Sequence, residues 1–120
     1  MILVDTSIWI DHLRSGNNQL IDLLDRSQVL AHPFVIGEMA CGNLRKREEI
    51  LALLNDLPQS PVASQSEALY FIEHNQLMGQ GIGYIDVHLL AASALAENAL
   101  LWTADERLKK VASGMKLAFV

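Results

Sequence analysis

The sequence predicts an α/β domain of three layers, with a central parallel sheet and helices on both of its faces. Two observations predict it. Short apolar, β-branched-rich runs recur along the chain, and the gaps between them carry capped helical periodicity rather than hairpin turns. At 120 residues the chain forms a single domain spanning 1–120, with a core large enough to need no staple.

The strands are read in order as "ILV" at 2–4, stopped by Asp5, then "QVLA" at 28–31, "ALLWT" at 99–103 and "KLAFV" at 116–120 as a fourth. Between them "NNQLIDLLDRS" opens on an Asn cap and sets Leu20, Ile21 and Leu24 on one face, with Asp22, Asp25 and Arg26 outside. Pro33 suits the first turn of the next helix. "NLRKREEILALLNDL" follows with a stripe of Leu44, Leu51 and Leu54, and "SQSE" at 64–67 is a capping box opening a helix that runs through Met78. "YIDVHLLAASALAEN" is apolar nearly all round, as for a helix packed on both sides. "DERLKKVASG" ends on lysines and Gly114, as helix C-termini prefer.

Composition narrows the class. Hydrophobic residues make up 51% of the chain, and with glycine included the apolar share is slightly above that of a typical soluble domain. That excess implies an apolar surface covered by a partner. The single cysteine, Cys41, excludes an intrachain disulfide and reads as a small core residue. Asp5 interrupts the N-terminal apolar run before a signal peptide could form, and no run reaches membrane-spanning length, so a cytoplasmic protein with no membrane partner is expected.

Parallel sheets take their ligands outside the carboxyl ends of the strands. Asp5 follows the first strand directly, and Asp105 follows the third by two residues. Glu38 falls about one and a half turns into the helix after the second strand, where a buried turn should be apolar. Asp86 lies in the first turn of the apolar helix among Tyr84, Ile85, Val87 and Leu89. Asp5 and Asp105 also read as ordinary N-caps, and Asp86 as an acid favouring a helix dipole. Glu38 has neither excuse, and a solvent-reaching side chain is its remaining bland explanation.

Two carboxylates about 5 Å apart repel by roughly 3 kcal/mol at an effective dielectric near 20, so converging acids need countercharge. No Lys or Arg lies within three residues of Asp5, Glu38 or Asp86. A divalent ion answers that need, and oxygen ligands select Mg²⁺ or Mn²⁺ over zinc or copper. His12, His32, His74 and His88 share no metal-ligand spacing and are expected at the surface or behind the ligands. Carboxylates holding such ions suit hydrolysis of a phosphodiester. The formal charge of −5 argues against a polyanionic substrate, but it shrinks to −1 with those four acids set aside, and bound ions would reverse the local sign.

The stretches "MILVDTSIWIDHLR", "HPFVIGEMACGNL", "GIGYIDVHLLAASAL" and "LWTADERLKKVA" together resemble the PIN-domain ribonucleases, most closely the toxin ribonucleases of VapBC-type toxin-antitoxin pairs. The likeness runs through nearly the whole chain, with the acids in family order. It implies a PIN-like nuclease domain and Asp5, Glu38, Asp86 and Asp105 as the catalytic, metal-binding quartet. It also implies supporting hydroxyls from Thr6, Ser7 and Thr103, an RNA substrate, a homodimer, and a cognate antitoxin protein whose tail can block the groove. Arg45, Lys46 and Arg47 form either a solvated helix face or a phosphate rail beside Glu38. "GQGIG" at 79–83 lacks the lysine and the preceding strand of a phosphate-binding loop and reads as a connector. Trp9 and Trp102 read as core or dimer residues. The rival readings are a non-catalytic RNA- or protein-binding module and a phosphoryl-accepting receiver domain. The receiver needs an acid pair after the first strand and a lysine after the last, and this chain has neither.

Overall fold

The computed structural model describes residues 1–119. Its sheet has strands β1 (Ile2–Val4), β2 (Val29–Leu30) and β3 (Leu100–Trp102), all parallel, in the order β2-β1-β3. Helices α1 (Thr6–Ser15) and α2 (Asn18–Asp25) connect β1 to β2. Helices α3 (Pro33–Cys41), α4 (Arg47–Asp56), α5 (Gln65–Asn75) and α6 (Tyr84–Leu95) connect β2 to β3, and α7 (Glu106–Gly114) follows. Ile2 pairs with Val29 on one side and Leu100 on the other, and Val4 pairs with Trp102. The central strand is buried along its whole length, which is why it reads as a continuous apolar run instead of an alternating one. Because β1 is flanked by both other strands, the chain leaves it in one direction and returns on its other side. Right-handed crossovers then lay the two sets of connecting helices on opposite faces, giving the three-layer α/β/α architecture.

"KLAFV" does not extend the sheet as a strand among the described residues. Ala118 makes one parallel bridge to Leu101, with Leu101 N–H donating to the Leu117 carbonyl (2.7 Å) and Phe119 N–H to the Leu101 carbonyl (2.8 Å). Lys116, at φ +60°, turns the backbone left-handed just before it and denies the segment a longer extended run. Val120 lies outside the described residues.

Asn17 caps α2 by accepting from Leu20 N–H (2.9 Å), but the buried face is Leu20 and Leu23, with Leu24 half-buried and Ile21 42% exposed. The apolar stripe is thus rotated by about one position from the expected face. Helix α4 starts later than its pattern suggested. Lys46, at φ +53°, makes no capping bond and stands with Arg45 before the helix, while the Arg47 guanidinium donates to the Ala40 carbonyl (2.9 Å).

The capping box of α5 is present in full: Glu67 N–H donates to Ser64 Oγ (3.1 Å), and Ser64 N–H to Glu67 Oε1 (2.8 Å). Those bonds also hold the Glu67 carboxyl below its usual range. The helix stops at Asn75, short of Met78, because Gln76 turns left-handed at φ +52°. Ser64→Ala removes the side-chain acceptor and is expected to lower unfolding stability by about 1 kcal/mol in urea titration, with no change of activity.

Helix α6 is buried from Val87 through Ser93 and packs against α5 and β3, as its all-round apolar pattern requires. Trp9 and Trp102 are buried in the core. Cys41 is exposed, contrary to expectation, because it is the last residue of α3 and lies beyond the helix's buried positions Val35 and Met39. Of the two placements expected for the histidines, at the surface or behind the ligands, His32 and His88 exclude the first by being buried: His32 caps α3 directly after the sheet, and His88 lies on the enclosed stretch of α6. No helix among the described residues is long and apolar enough to cross a membrane.

Candidate active site

The strand order sets the carboxyl ends of β1 and β3 side by side, and Asp5 stands between them. Its amide donates to the Trp102 carbonyl (2.9 Å), fixing the backbone at the sheet edge. Its side chain is buried and accepts from three donors: Thr6 N–H on Oδ1 (2.7 Å), and the hydroxyls of Ser7 (3.1 Å) and Thr103 (2.7 Å) on Oδ2. Asp5 is therefore the N-cap of α1 and the centre of a network at once. The cap that the sequence offered for Asp5 is present, and the same carboxylate also gathers the two hydroxyls.

Both hydroxyls pass the connection on. Thr103 Oγ accepts from Asp105 N–H (3.1 Å), and Ser7 Oγ accepts from Ala104 N–H (3.1 Å). Asp105 in turn caps α7, its Oδ1 accepting from Leu108 N–H (3.0 Å). On the other side Thr6 Oγ donates to Glu38 Oε1 (2.8 Å). Glu38 itself is exposed, not half-buried as expected, because Val35 and Met39 occupy the inward side of α3. A continuous path thus runs from Glu38 through Thr6, Asp5 and Thr103 to Asp105.

Asp86 joins this group by charge. Its Oδ2 accepts from Gly83 N–H (2.9 Å) at the start of α6. Burial pushes its carboxyl above the usual range against the pull of that amide, and the negative charges of Asp5 and Asp105 push it further. The Gly83 partner was missed in the sequence. The signal available was the spacing, since an acid at the third helical position commonly reaches back to the capping residue's N–H.

Among the described residues no Lys, Arg or His forms a salt bridge with these acids. The salt bridge among the described residues is the exposed pair Arg26–Asp22 (3.0 Å), on α2. The donor set is all oxygen, which fits a hard divalent ion in chemistry. In arrangement it is not gathered: among the described residues no three His, Cys, Asp or Glu side chains stand together as a metal site. The caps explain the spread, because Asp5, Asp86 and Asp105 each direct an oxygen at a backbone N–H. Arg45 and Lys46 line a groove with Ile10, Leu13 and Arg14 that none of these acids lines.

Residues 2–114 match the family model of the PIN domain. Ribonuclease VapC32 of Mycobacterium tuberculosis, in strains CDC 1551 / Oshkosh and ATCC 25618 / H37Rv, is 44% identical over 120 residues, covering 98% of this chain and 97% of the relative. The chain belongs to the PIN-domain family, in its VapC group. The matched span of this PIN domain includes every residue of the path from Asp5 to Asp105, together with Asp86. The acids therefore lie inside the shared fold and not on an appended segment.

Proposed function

We propose that this PIN domain is a metal-dependent endoribonuclease hydrolysing RNA phosphodiester bonds, and the toxin of a toxin-antitoxin pair. The observation that carries the reading is the hydrogen-bonded path that ties Glu38, Asp5 and Asp105 together at one rim of the sheet, with no salt bridge to any of them among the described residues. The VapC32 likeness supports ribonuclease activity.

Asp5, Glu38, Asp86 and Asp105 would hold Mg²⁺ or Mn²⁺. When bound, such an ion polarises a phosphodiester and activates water for attack on phosphorus. The chain's own contribution is placement. Asp5 is the fixed member, buried and held by three donors, while Thr6 and Thr103 tie Glu38 and Asp105 to it. Exposed Glu38 and Asp105 leave the rim open to a strand of RNA. The exposed Leu69, Tyr70 and Leu95 of α5 and α6 support a homodimer through that face, and the apolar groove bounded by Arg45 and Lys46 supports docking of a cognate antitoxin. A cytoplasmic location accords with both.

The test is incubation of purified protein with single-stranded RNA in Mg²⁺ or Mn²⁺, then with EDTA, then with the ion restored. Cleavage lost and regained in step is expected. Cleavage indifferent to the chelator overturns the metal assignment, and intact RNA in every buffer favours the non-catalytic binding module.

A further inference from the structure

We propose that Arg107 and Lys110 of α7, together with the Gly79–Gly83 loop, form the groove that grips the phosphates of the RNA strand entering the acid rim. The inference rests on the nuclease reading of that rim and names the residues by which it would hold its substrate.

The first observation is how Arg107 is seated. A Cβ built on Gly81 would stand 2.8 Å from Arg107 Cδ and 3.0 Å from its Nη1, so the arginine lies close against the bare backbone of the glycine. Gly81 is also at φ +79° and Gly79 at φ +72°, backbone that side-chain-bearing residues rarely adopt. Among the described residues Arg107 makes no ion pair, although Asp105 and Glu106 precede it. A guanidinium laid on glycine and left without an acid partner is available to an anion from outside, and its planar fork suits phosphate.

The second observation is continuity. The groove, about 410 Å³, is lined by Gly79, Gln80, Gly81, Arg107, Lys110 and Val111. It continues along α7 past Lys109 and Ser113 in a second depression of about 550 Å³ that shares Arg107 and Lys110. Both of its walls adjoin acids along the chain. The loop ends on Gly83, whose N–H holds Asp86, and α7 begins on Asp105. Arg107 and Lys110 are three residues apart on α7 and so share a face. The proposed strand lies across these two side chains, on a helix whose N-cap is Asp105 and beside a loop whose last residue holds Asp86.

The third observation disposes of the rival rail. Arg45 and Lys46 border a groove lined also by Arg14 and Asn43 but walled by Ile10, Leu13, Leu44 and Ile50, whose apolar side chains offer a protein segment more than they offer a phosphate backbone. Arg47 is engaged by the Ala40 carbonyl.

The experiment measures anisotropy of a short fluorescent single-stranded oligoribonucleotide in Mg²⁺, titrated with salt, in an Asp86→Asn background that does not consume it. Arg107→Ala with Lys110→Ala is expected to weaken binding several-fold and to flatten the dependence of log affinity on log salt by about 0.7 per side chain removed. Arg107→Lys should retain the slope, and Arg26→Ala should change nothing. Circular dichroism confirms that each variant is folded. Unchanged affinity and slope in the double variant overturn the proposal, as does loss of binding through Arg45→Ala and Lys46→Ala instead, or no binding by the parent protein. Cleavage by the wild type is scored separately. RNA-cutting protein with an indifferent double variant sinks the groove alone, whereas Arg107-dependent binding without any cleavage upholds the groove and sinks the nuclease reading.

Discussion

Asp5→Asn is expected to reduce RNA cleavage by more than about 100-fold, since removing even the groups that support a metal's ligands costs about 10–100-fold. It should also destabilise the fold. The carboxylate accepts from Thr6 N–H on one oxygen and from two hydroxyls on the other. An amide keeps one acceptor and turns its NH₂ on the second set. Ser7 and Thr103 already accept from the amides of Ala104 and Asp105, so their protons point toward Asp5 and collide with those of the new amide. Losing buried hydrogen bonds of this kind costs about 1–3 kcal/mol. Equilibrium unfolding and a cleavage assay should register both losses in the same protein.

Asp86→Asn separates chemistry from stability, because the same exchange there should abolish cleavage while raising the unfolding midpoint in metal-free buffer. The asparagine carbonyl can still accept from Gly83 N–H, and the substitution removes a charge that burial, Asp5 and Asp105 all disfavour. Opposite stability changes from two Asp→Asn substitutions on one rim would mark Asp5 as the structural centre and Asp86 as the strained member. A fall in midpoint for Asp86→Asn would count against that repulsion.

The positions of Asp5 and Asp105 were legible in the sequence because each follows a strand end and opens a helix, and those two facts fix the edge of the sheet they occupy. The parallel topology was legible for the same reason: apolar runs alternated with capped helices. Glu38 was harder. Helix α3 is apolar around most of its circumference, so its pattern does not say which way residue 38 faces, and only the packing of Val35 and Met39 turns it outward. For His32 and His88 the sequence left surface and interior positions open because burial of an imidazole depends on tertiary neighbours: Phe34 packs against both, at centroid distances of 5.1 and 4.7 Å. Arg107 carried no sequence signal, since its seat is a glycine 26 positions earlier in the chain.

His32 gives the fold a dependence on pH that a single substitution should erase. The ring is fully buried, and Nδ1 accepts from Phe34 N–H (3.0 Å), so the proton of the neutral ring resides on Nε2, which has no partner among the described residues. Burial, with His88 nearby, lowers its pKa from 6.5 to about 4. The folded state therefore resists protonation that the unfolded chain accepts. The stability His32 confers is complete above pH 6.5, falls as the pH drops below that value, and levels off below about 4. A depression of this size corresponds to about 3 kcal/mol, against a total stability of about 5–15 kcal/mol. Urea unfolding at neutral pH and near pH 4.5 should show the wild type losing most of that amount beyond what His32→Asn loses, because asparagine retains a capping acceptor for Phe34 N–H but does not titrate. Equal losses in the two proteins would mean that the imidazole reaches solvent or a proton acceptor on acidification, and that the seal between α3 and α6 made by Phe34 opens before the domain unfolds.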